Sequence, residues 1–340
     1  MLITGAAGFI GSQLAYRLWK ENAELVLVDD YSYGREDNLV FPDHDFTEAI
    51  IRLDICNKEG VTRLFQPGDI DYVYNLAGIA PLPDCQSAPQ HAIEVNVIGL
   101  VNLLENGRRY GVKKLIQAST NAIYENETTF PTEEEGFALP SLIYPNTKYA
   151  AERFCASYHD TYGMNITCLR FANVYGPHID CLRKQPPFVA YMIRELYYNR
   201  TPIFHSDGTQ RRDYVYVSDL IDLALRVQSS QGFDQVNVSS GENYSVNEFY
   251  AIAQEIMGKD IPAQYADDAH YWEAYPTLYE GAYPIKNDVL AREINKCTLC
   301  DNSRAREKYG WSPKVSVREG LAAVIEHECA LLAELEKRGG

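Results

Sequence analysis

Gly5-Ala6-Ala7-Gly8-Phe9-Ile10-Gly11 decides the fold of this chain. It follows the strand-like Leu2-Ile3-Thr4 and opens a helical pattern running to about residue 21. In such a turn the first glycine permits the sharp bend, the second lets backbone approach a pyrophosphate, and the third lets helix pack on strand. Phosphates then meet a helix N-terminus, whose unpaired N–H groups favour an anion. Asp29 closes a second strand 18 residues after Gly11, where a carboxylate accepts from the adenosine ribose and repels the 2′-phosphate of NADP. NAD is the expected cofactor. Asp54, ending a third strand, either receives the adenine amino group or is an ordinary strand-terminal carboxylate.

Outward from the loop, short apolar runs alternate with helical patterns. Strands are predicted over 2–4, 25–29, 50–54, 72–76, 114–118 and 166–171, with helices near 10–21, 57–66, 90–110 and 145–162. This is the signature of an α/β fold with a doubly wound parallel (Rossmann) sheet, which binds ligands at the carboxyl ends of its strands. Beyond Gly176 the alternation loosens into Pro-punctuated segments, with a helix near 187–199, a strand at 213–217 and helices near 218–228, 245–257 and 316–337. Residues 1–176 are therefore read as the dinucleotide-binding domain, and 177–340 as mainly a smaller α/β substrate-binding region. The boundary is soft, because later elements can return to the first sheet.

Composition narrows the partners. The 340 residues, 46% hydrophobic and 23% charged, are ordinary for globular protein and enough for about two units. No apolar run reaches the roughly 18 residues a membrane span requires, and the chain opens on a strand rather than on a basic segment leading into an apolar one. A cytoplasmic protein without membrane or secretory segment is expected. The formal charge of −16 repels nucleic acid. A phosphorylated small molecule is still compatible if a few arginines converge on it. Eight scattered cysteines do not make a disulfide framework. Cys297-Thr298-Leu299-Cys300 lacks the second ligand pair of a zinc site and lies in a β-like stretch, so no metal is expected.

Tyr144 and Lys148 stand four residues apart, on one face of a helix whose first turn tolerates Pro145. A tyrosine is a poor base. Bringing its pKa from 10 to about 7 needs roughly 4 kcal/mol of preferential phenolate stabilisation, which a close cation and a nicotinamide charge supply.

Together these stretches resemble the extended short-chain dehydrogenases/reductases of the nucleotide-sugar epimerase/dehydratase family. The resemblance rests on Thr4 to Gly11, Asn75-Leu76-Ala77-Gly78, Ala118-Ser119-Thr120 before Tyr124, Tyr144 with Lys148, Arg170 to Pro177, and Arg211 to Val217. It implies that Tyr144 is the catalytic base, that Lys148 binds the nicotinamide ribose and lowers the Tyr144 pKa, and that Thr120 binds the hydroxyl being oxidised. It implies further that Leu76, Ala77 and Gly78 line the cofactor, with Phe171 and Val174 near the nicotinamide. Asn96, on an otherwise apolar helix face, is either a satisfied core amide or a cofactor neighbour. Asn173 and Arg212 match positions that hold the nucleotide diphosphate, with Arg292 as a second clamp.

The two residues after Thr120 separate the reactions of the family. Similar 4,6-dehydratases carry an Asp-Glu pair there, whereas this chain has Asn121 and Ala122. Decarboxylases of the family place Glu, and 3,5-epimerising types Cys, where Ala122 stands. What remains is 4-epimerisation of a nucleotide sugar, most simply a UDP-sugar, through a transient 4-keto intermediate. Two other readings stay open. His178 with Cys181 resembles the acid/base pair of epimerase-reductases, which implies a net dehydrogenase or reductase. Some proteins of this fold are NAD sensors or scaffolds, although they usually lose the Tyr or Lys retained here. The Tyr-rich stretch from Tyr271 to Tyr283 is either sugar-contacting or core. The resemblance implies a homodimer through the helices near 90–110 and 145–162.

Overall fold

The structure, a computed structural model, describes residues 1–136, 140–183, 185–267 and 271–339. Six strands arise as the apolar runs predict: β1 (Leu2–Thr4), β2 (Val26–Asp29), β3 (Ile50–Arg52), β4 (Tyr72–Asn75), β5 (Lys114–Thr120) and β6 (Ile166–Phe171). The chain then forms β7 (Asn173–Tyr175) and β8 (Arg211–Tyr216), which pair outside the main sheet, before β9 (Phe233–Val238) returns beside β6. The seven-stranded sheet is parallel throughout, in the order β9-β6-β5-β4-β1-β2-β3. The chain winds outward from β1 to β3, then crosses to β4 on the other side of β1. That reversal opens a crevice at the carboxyl ends of β1 and β4.

Helices cover both faces, as buried apolar strands require. In chain order the principal ones are α1 (Phe9–Lys20), α2 (Lys58–Phe65), α3 (Leu82–Ser87), α4 (Leu100–Tyr110), α5 (Ile143–Tyr162), α6 (Phe188–Tyr197), α7 (Val217–Val227), α8 (Val246–Met257), α9 (Asn287–Asn295) and α10 (Val317–Gly339). On one face Leu14 and Leu18 of α1 share a core with Leu220, Leu223 and Val227 of α7. On the other, Val61 and Phe65 of α2 meet Leu100, Leu103 and Leu104 of α4 and Ala151 of α5.

Two departures from the sequence expectation matter. The predicted helix over 90–110 is interrupted by a π-helical turn, Glu94–Gly99, which carries Asn96. Strand β9 escaped prediction because Asp234, Gln235 and Asn237 break its apolar run. Those polar groups are satisfied from outside the strand: Asn237 Nδ2 donates to the carbonyls of Thr132 and Asp301, Gln235 Nε2 donates to Glu152, and Asp234 accepts from Lys308. Strand β9 and helix α7, both beyond residue 176, thus return to the sheet and to α1.

The remaining elements build the second region. β8 pairs with β7 and antiparallel with β10 (Asn243–Ser245), and α6, α8 and α10 close a separate core around Ile193, Phe249 and Leu321. Helix α8 starts on a reciprocal cap, Glu248 N–H to Ser245 Oγ at 3.1 Å and Ser245 N–H to Glu248 Oε2 at 2.8 Å. Among the described residues no helix is long and apolar enough to cross a membrane.

Candidate active site

A cleft of about 560 Å³ lies at the β1/β4 crossover, lined among others by Gly5, Gly8, Asp29, Asp30, Tyr33, Gly34, Asp54, Leu76, Ala77 and Gly78. The glycines are required for different reasons. Gly5 has φ +70°, and a Cβ there would come within 2.8 Å of the Ala77 nitrogen. At Gly11 a Cβ would fall 2.0 Å from the Gly5 carbonyl oxygen. At Gly8, by contrast, a Cβ would approach only that same oxygen, at 3.2 Å. The fold itself constrains Gly8 little, and its open side faces the cleft, as a backbone that must admit a pyrophosphate requires. Helix α1 starts at Gly8 with no side-chain cap and no acidic residue in its first turn, leaving its amides for an anion. Phe9 and Ile10 come next, half-buried against the core of α1 and α7. These residues fit a bound dinucleotide.

Asp29 is buried at the end of β2, and its carboxylate holds the loop: Oδ2 accepts from Ala7 N–H at 2.9 Å and Oδ1 from Tyr31 N–H at 2.8 Å. Burial raises its pKa above the ordinary carboxylate value, against the pull of those backbone bonds. Asp54 is exposed along the cleft and also caps a turn, accepting from Cys56 N–H at 2.8 Å. Asp30, Tyr33 and Gly34 line the cleft too, although only the turn-forming Ser32-Tyr33-Gly34 after β2 could have signalled them.

Thr120 ends β5, and its Oγ1 accepts from Ala122 N–H at 3.1 Å, capping the short helix over Asn121–Tyr124. The phenol of Tyr144, in the first turn of α5, lies near the Thr120 side chain. One turn on, Lys148 Nζ donates to the Ala118 carbonyl at 3.2 Å. Burial pushes Tyr144 up to about 12, opposed by the Thr120 side chain, and pushes Lys148 down to about 8. Both groups therefore hold their protons at neutral pH, and only added positive charge would bring the phenol toward its phenolate. Gly78 makes the approach possible, since a Cβ there would lie 3.0 Å from Lys148 Nζ and 2.9 Å from Asn96 Oδ1.

The Asn96 amide is hydrogen-bonded through both its oxygen and its nitrogen. Its Oδ1 accepts from Ile79 N–H at 2.9 Å, while Nδ2 donates to the Ile79 carbonyl at 3.0 Å and to Thr147 Oγ1 at 2.9 Å. The side chain thus ties the β4 loop that lines the cleft to the helix carrying Tyr144. Beside Thr120, the Asn121 side chain is buried against the Cys300 thiol. Phe171 and Val174 are half-buried on the strands leaving the sheet, and Asn173 is exposed between them.

Three residues expected at the ligand have partners within the protein. Arg212 donates to the carbonyls of Glu293, Ile294 and Lys296, so it staples the C-terminal end of α9 rather than presenting a free fork. Arg292, on that helix, is half exposed and faces Asp288 at 3.7 Å. His178 is buried away from the catalytic group. Its Nδ1 meets Ser12 Oγ at 3.0 Å, its ring packs on Phe41 and His327, and burial together with the His327 charge lowers its pKa to about 3. Cys181 is likewise buried, its thiol pushed up by burial and by Glu328. The Tyr-rich stretch divides: Trp272 is core on Leu142 and Leu290, Tyr271 faces Arg212 and Glu293, and Tyr283 is exposed.

Residues 1–239 match the model of the NAD dependent epimerase/dehydratase family. The chain is 32% identical over 330 residues to the UDP-glucose 4-epimerase of Mycolicibacterium smegmatis, covering 96% of this chain and 97% of that one. Its fold superposes on the Thermotoga maritima UDP-glucose 4-epimerase bound to UDP-glucose with a TM-score of 0.85 at 32% identity, over 97% of this chain and 99% of that one. The Bacillus cereus UDP-glucuronic acid 4-epimerase, in complex with UDP-glucuronic acid and NAD, superposes with a TM-score of 0.79 at 26% identity, over 97% and 99% of the two chains.

Proposed function

The chain belongs to the NAD-dependent epimerase/dehydratase family, and on that premise we propose that it inverts C4 of a UDP-sugar through a transient 4-keto intermediate. It is a nucleotide-sugar epimerase of the extended short-chain type, and its cofactor is NAD. The observation that carries the finer reading is the convergence of Thr120 and Tyr144, with Lys148 one turn on, beside Asn121 and Ala122.

Bound NAD supplies a hydride acceptor that becomes the donor for the return step. Gly5, Gly8, Phe9, Ile10 and Gly11 would hold its pyrophosphate, Asp29 and Asp54 its adenosine, and Leu76, Ala77, Gly78, Phe171 and Val174 its nicotinamide side. Thr120 orients the C4 hydroxyl toward Tyr144. Tyr144, as phenolate, takes the hydroxyl proton onto Oη as the carbonyl forms, and returns it after the keto sugar has presented its other face. Lys148 favours the phenolate by its charge. Asn121 and Ala122 offer neither acid nor base, so C5 and C6 keep their hydrogens. Asn173 and Arg292 contact the diphosphate, while Arg212 fixes the helix from which Arg292 projects.

An epimerase-reductase would need a further acid/base pair, and the burial of His178 and Cys181 speaks against theirs, whereas a net dehydrogenase or reductase would use Tyr144 as the epimerase does and release its cofactor. The test is incubation with UDP-, GDP-, CDP- and dTDP-sugars, following C4 inversion by NMR and NADH by absorbance. Inversion of a UDP-sugar without net NADH supports the proposal. Stoichiometric NADH or a released keto sugar overturns it. Ile93 and Ile98 before α4 and Phe154 on α5 are 46%, 49% and 42% exposed, apolar side chains on the two segments expected at the interface, which supports the homodimer. Sedimentation of Ile98→Glu against wild type checks this, with a dimer-to-monomer shift expected.

A further inference from the structure

Helix α3 is a short element that four parts of the molecule grip at once. Cys85 Sγ lies 3.3 Å from the Ile79 carbonyl on the cleft wall. Gln86 Oε1 accepts from Ile143 N–H at 3.2 Å, at the start of the helix that carries Tyr144. Between these, Asp84 holds two phenols. Tyr33 Oη donates to Asp84 Oδ2 at 2.6 Å, and Tyr275 Oη donates to Asp84 Oδ1. Tyr33 stands on the lip of the dinucleotide cleft, 51 residues from Asp84 in sequence, and Tyr275 lies 191 residues beyond Asp84.

The two phenols come from opposite sides. Tyr33 belongs to the loop after β2 that Asp29 organises. Tyr275 belongs to the segment whose Trp272 is buried on Leu142 and Leu290, and whose Tyr271 faces Arg212. Burial and the nearby carboxylate raise both phenols, Tyr275 to about 12, so each remains a donor near neutral pH. The Arg183 guanidinium faces the same three groups and keeps the carboxylate from standing alone in an acidic protein. A carboxylate accepting from two phenols makes charge-assisted hydrogen bonds, each stronger than a neutral pair.

We propose that the Tyr33–Asp84–Tyr275 bridge fastens the lip of the dinucleotide cleft to the C-terminal segment, making Asp84 a positioning residue that slows cofactor release between turnovers. A cofactor that is regenerated in place gains from this retention, so the proposal rests on the epimerase reading for its purpose. Its geometry does not. Dinucleotide leaving past Tyr33 must do so with the bridge broken.

The test monitors bound NADH fluorescence in the intact protein during a chase with excess NAD. Asp84→Ala should release NADH about tenfold faster or more, the effect expected from losing charged hydrogen bonds. Tyr33→Phe and Tyr275→Phe should each accelerate release by a smaller factor. Their double variant should not exceed Asp84→Ala, because all three changes cut one bridge. Thermal unfolding of each variant, monitored by circular dichroism, identifies any that do not fold; the two Phe variants, which delete only a hydroxyl, carry the test if Asp84→Ala fails. Wild-type release rates in folded Asp84→Ala, or in Tyr275→Phe alone, overturn the proposal. Because the readout is dinucleotide release, a failure to invert any sugar would sink the epimerase reading and leave this result standing.

Discussion

Lys148 and Glu152 stand one helical turn apart on α5 and hold two consecutive residues of β5. Lys148 Nζ donates to the carbonyl of Ala118 at 3.2 Å, and Glu152 Oε1 accepts from the hydroxyl of Ser119 at 2.5 Å. The next residue is Thr120. Glu152 is wholly buried and is paired by Arg170 through Nε at 2.9 Å and Nη2 at 2.7 Å, while Arg170 Nη1 reaches Tyr124 Oη at 2.6 Å. The register between the helix carrying Tyr144 and the strand carrying Thr120 is therefore set by a buried charged network.

Glu152→Ala should lower stability by about 3–5 kcal/mol, since it strands a buried guanidinium. Denaturant unfolding measures this. Loss below about 1 kcal/mol would mean that water or a rearranged partner compensates Arg170.

Tyr144→Phe should lower kcat for C4 inversion by about 10²- to 10⁴-fold, the usual worth of a positioned acid/base group, with NAD binding little changed. Titration of the dinucleotide separates the two effects. Retained turnover would remove Tyr144 from the proton path. The lysine is expected to act differently, because Lys148→Ala opens space beside Gly78 and should weaken NAD binding as well as slow turnover.

Asp29 does two jobs that substitution will expose together. Asp29→Ser removes the charge that opposes a 2′-phosphate and also the acceptors of Ala7 and Tyr31 N–H, costing about 1–3 kcal/mol. A narrowed NAD/NADP affinity ratio with a lower Tm is expected. If the wild type binds both dinucleotides equally, the role of Asp29 in selection is wrong and only its loop-holding role survives.

The central sheet and cofactor loop were legible because local patterns and tertiary structure agree there: apolar runs are buried strands, and glycines sit where backbones touch. Tyr144, Lys148 and Thr120 belong to that legible set and meet in space. What escaped depends on distant partners. Strand β9 reads as polar until Glu152, Thr132 and Asp301 satisfy it. Arg212 reads as a free cation until the end of α9 arrives at its guanidinium. Asp84, in a helix of six residues, has no pattern to mark it, because Tyr33 and Tyr275 come to it from far apart in sequence.

His178 gives a sign-definite pH prediction. Its ring is buried among Ser12, Phe41 and His327, with Glu328 and Cys181 as the other titratable groups nearby, and its pKa falls from 6.5 to about 3. Between those values the unfolded chain binds a proton that the native ring refuses. Stability conferred by the neutral ring is therefore complete above pH 6.5 and is lost as pH falls toward 3, at up to about 1.4 kcal/mol per pH unit. His178→Asn tests this without imposing new backbone strain, because residue 178 has φ +71° and asparagine tolerates the left-handed region. Denaturant midpoints measured from pH 7 to pH 4 should fall more steeply for wild type than for the variant. Parallel slopes would show that the ring titrates freely in the native protein, and would make His178 an accessible acid/base group once more.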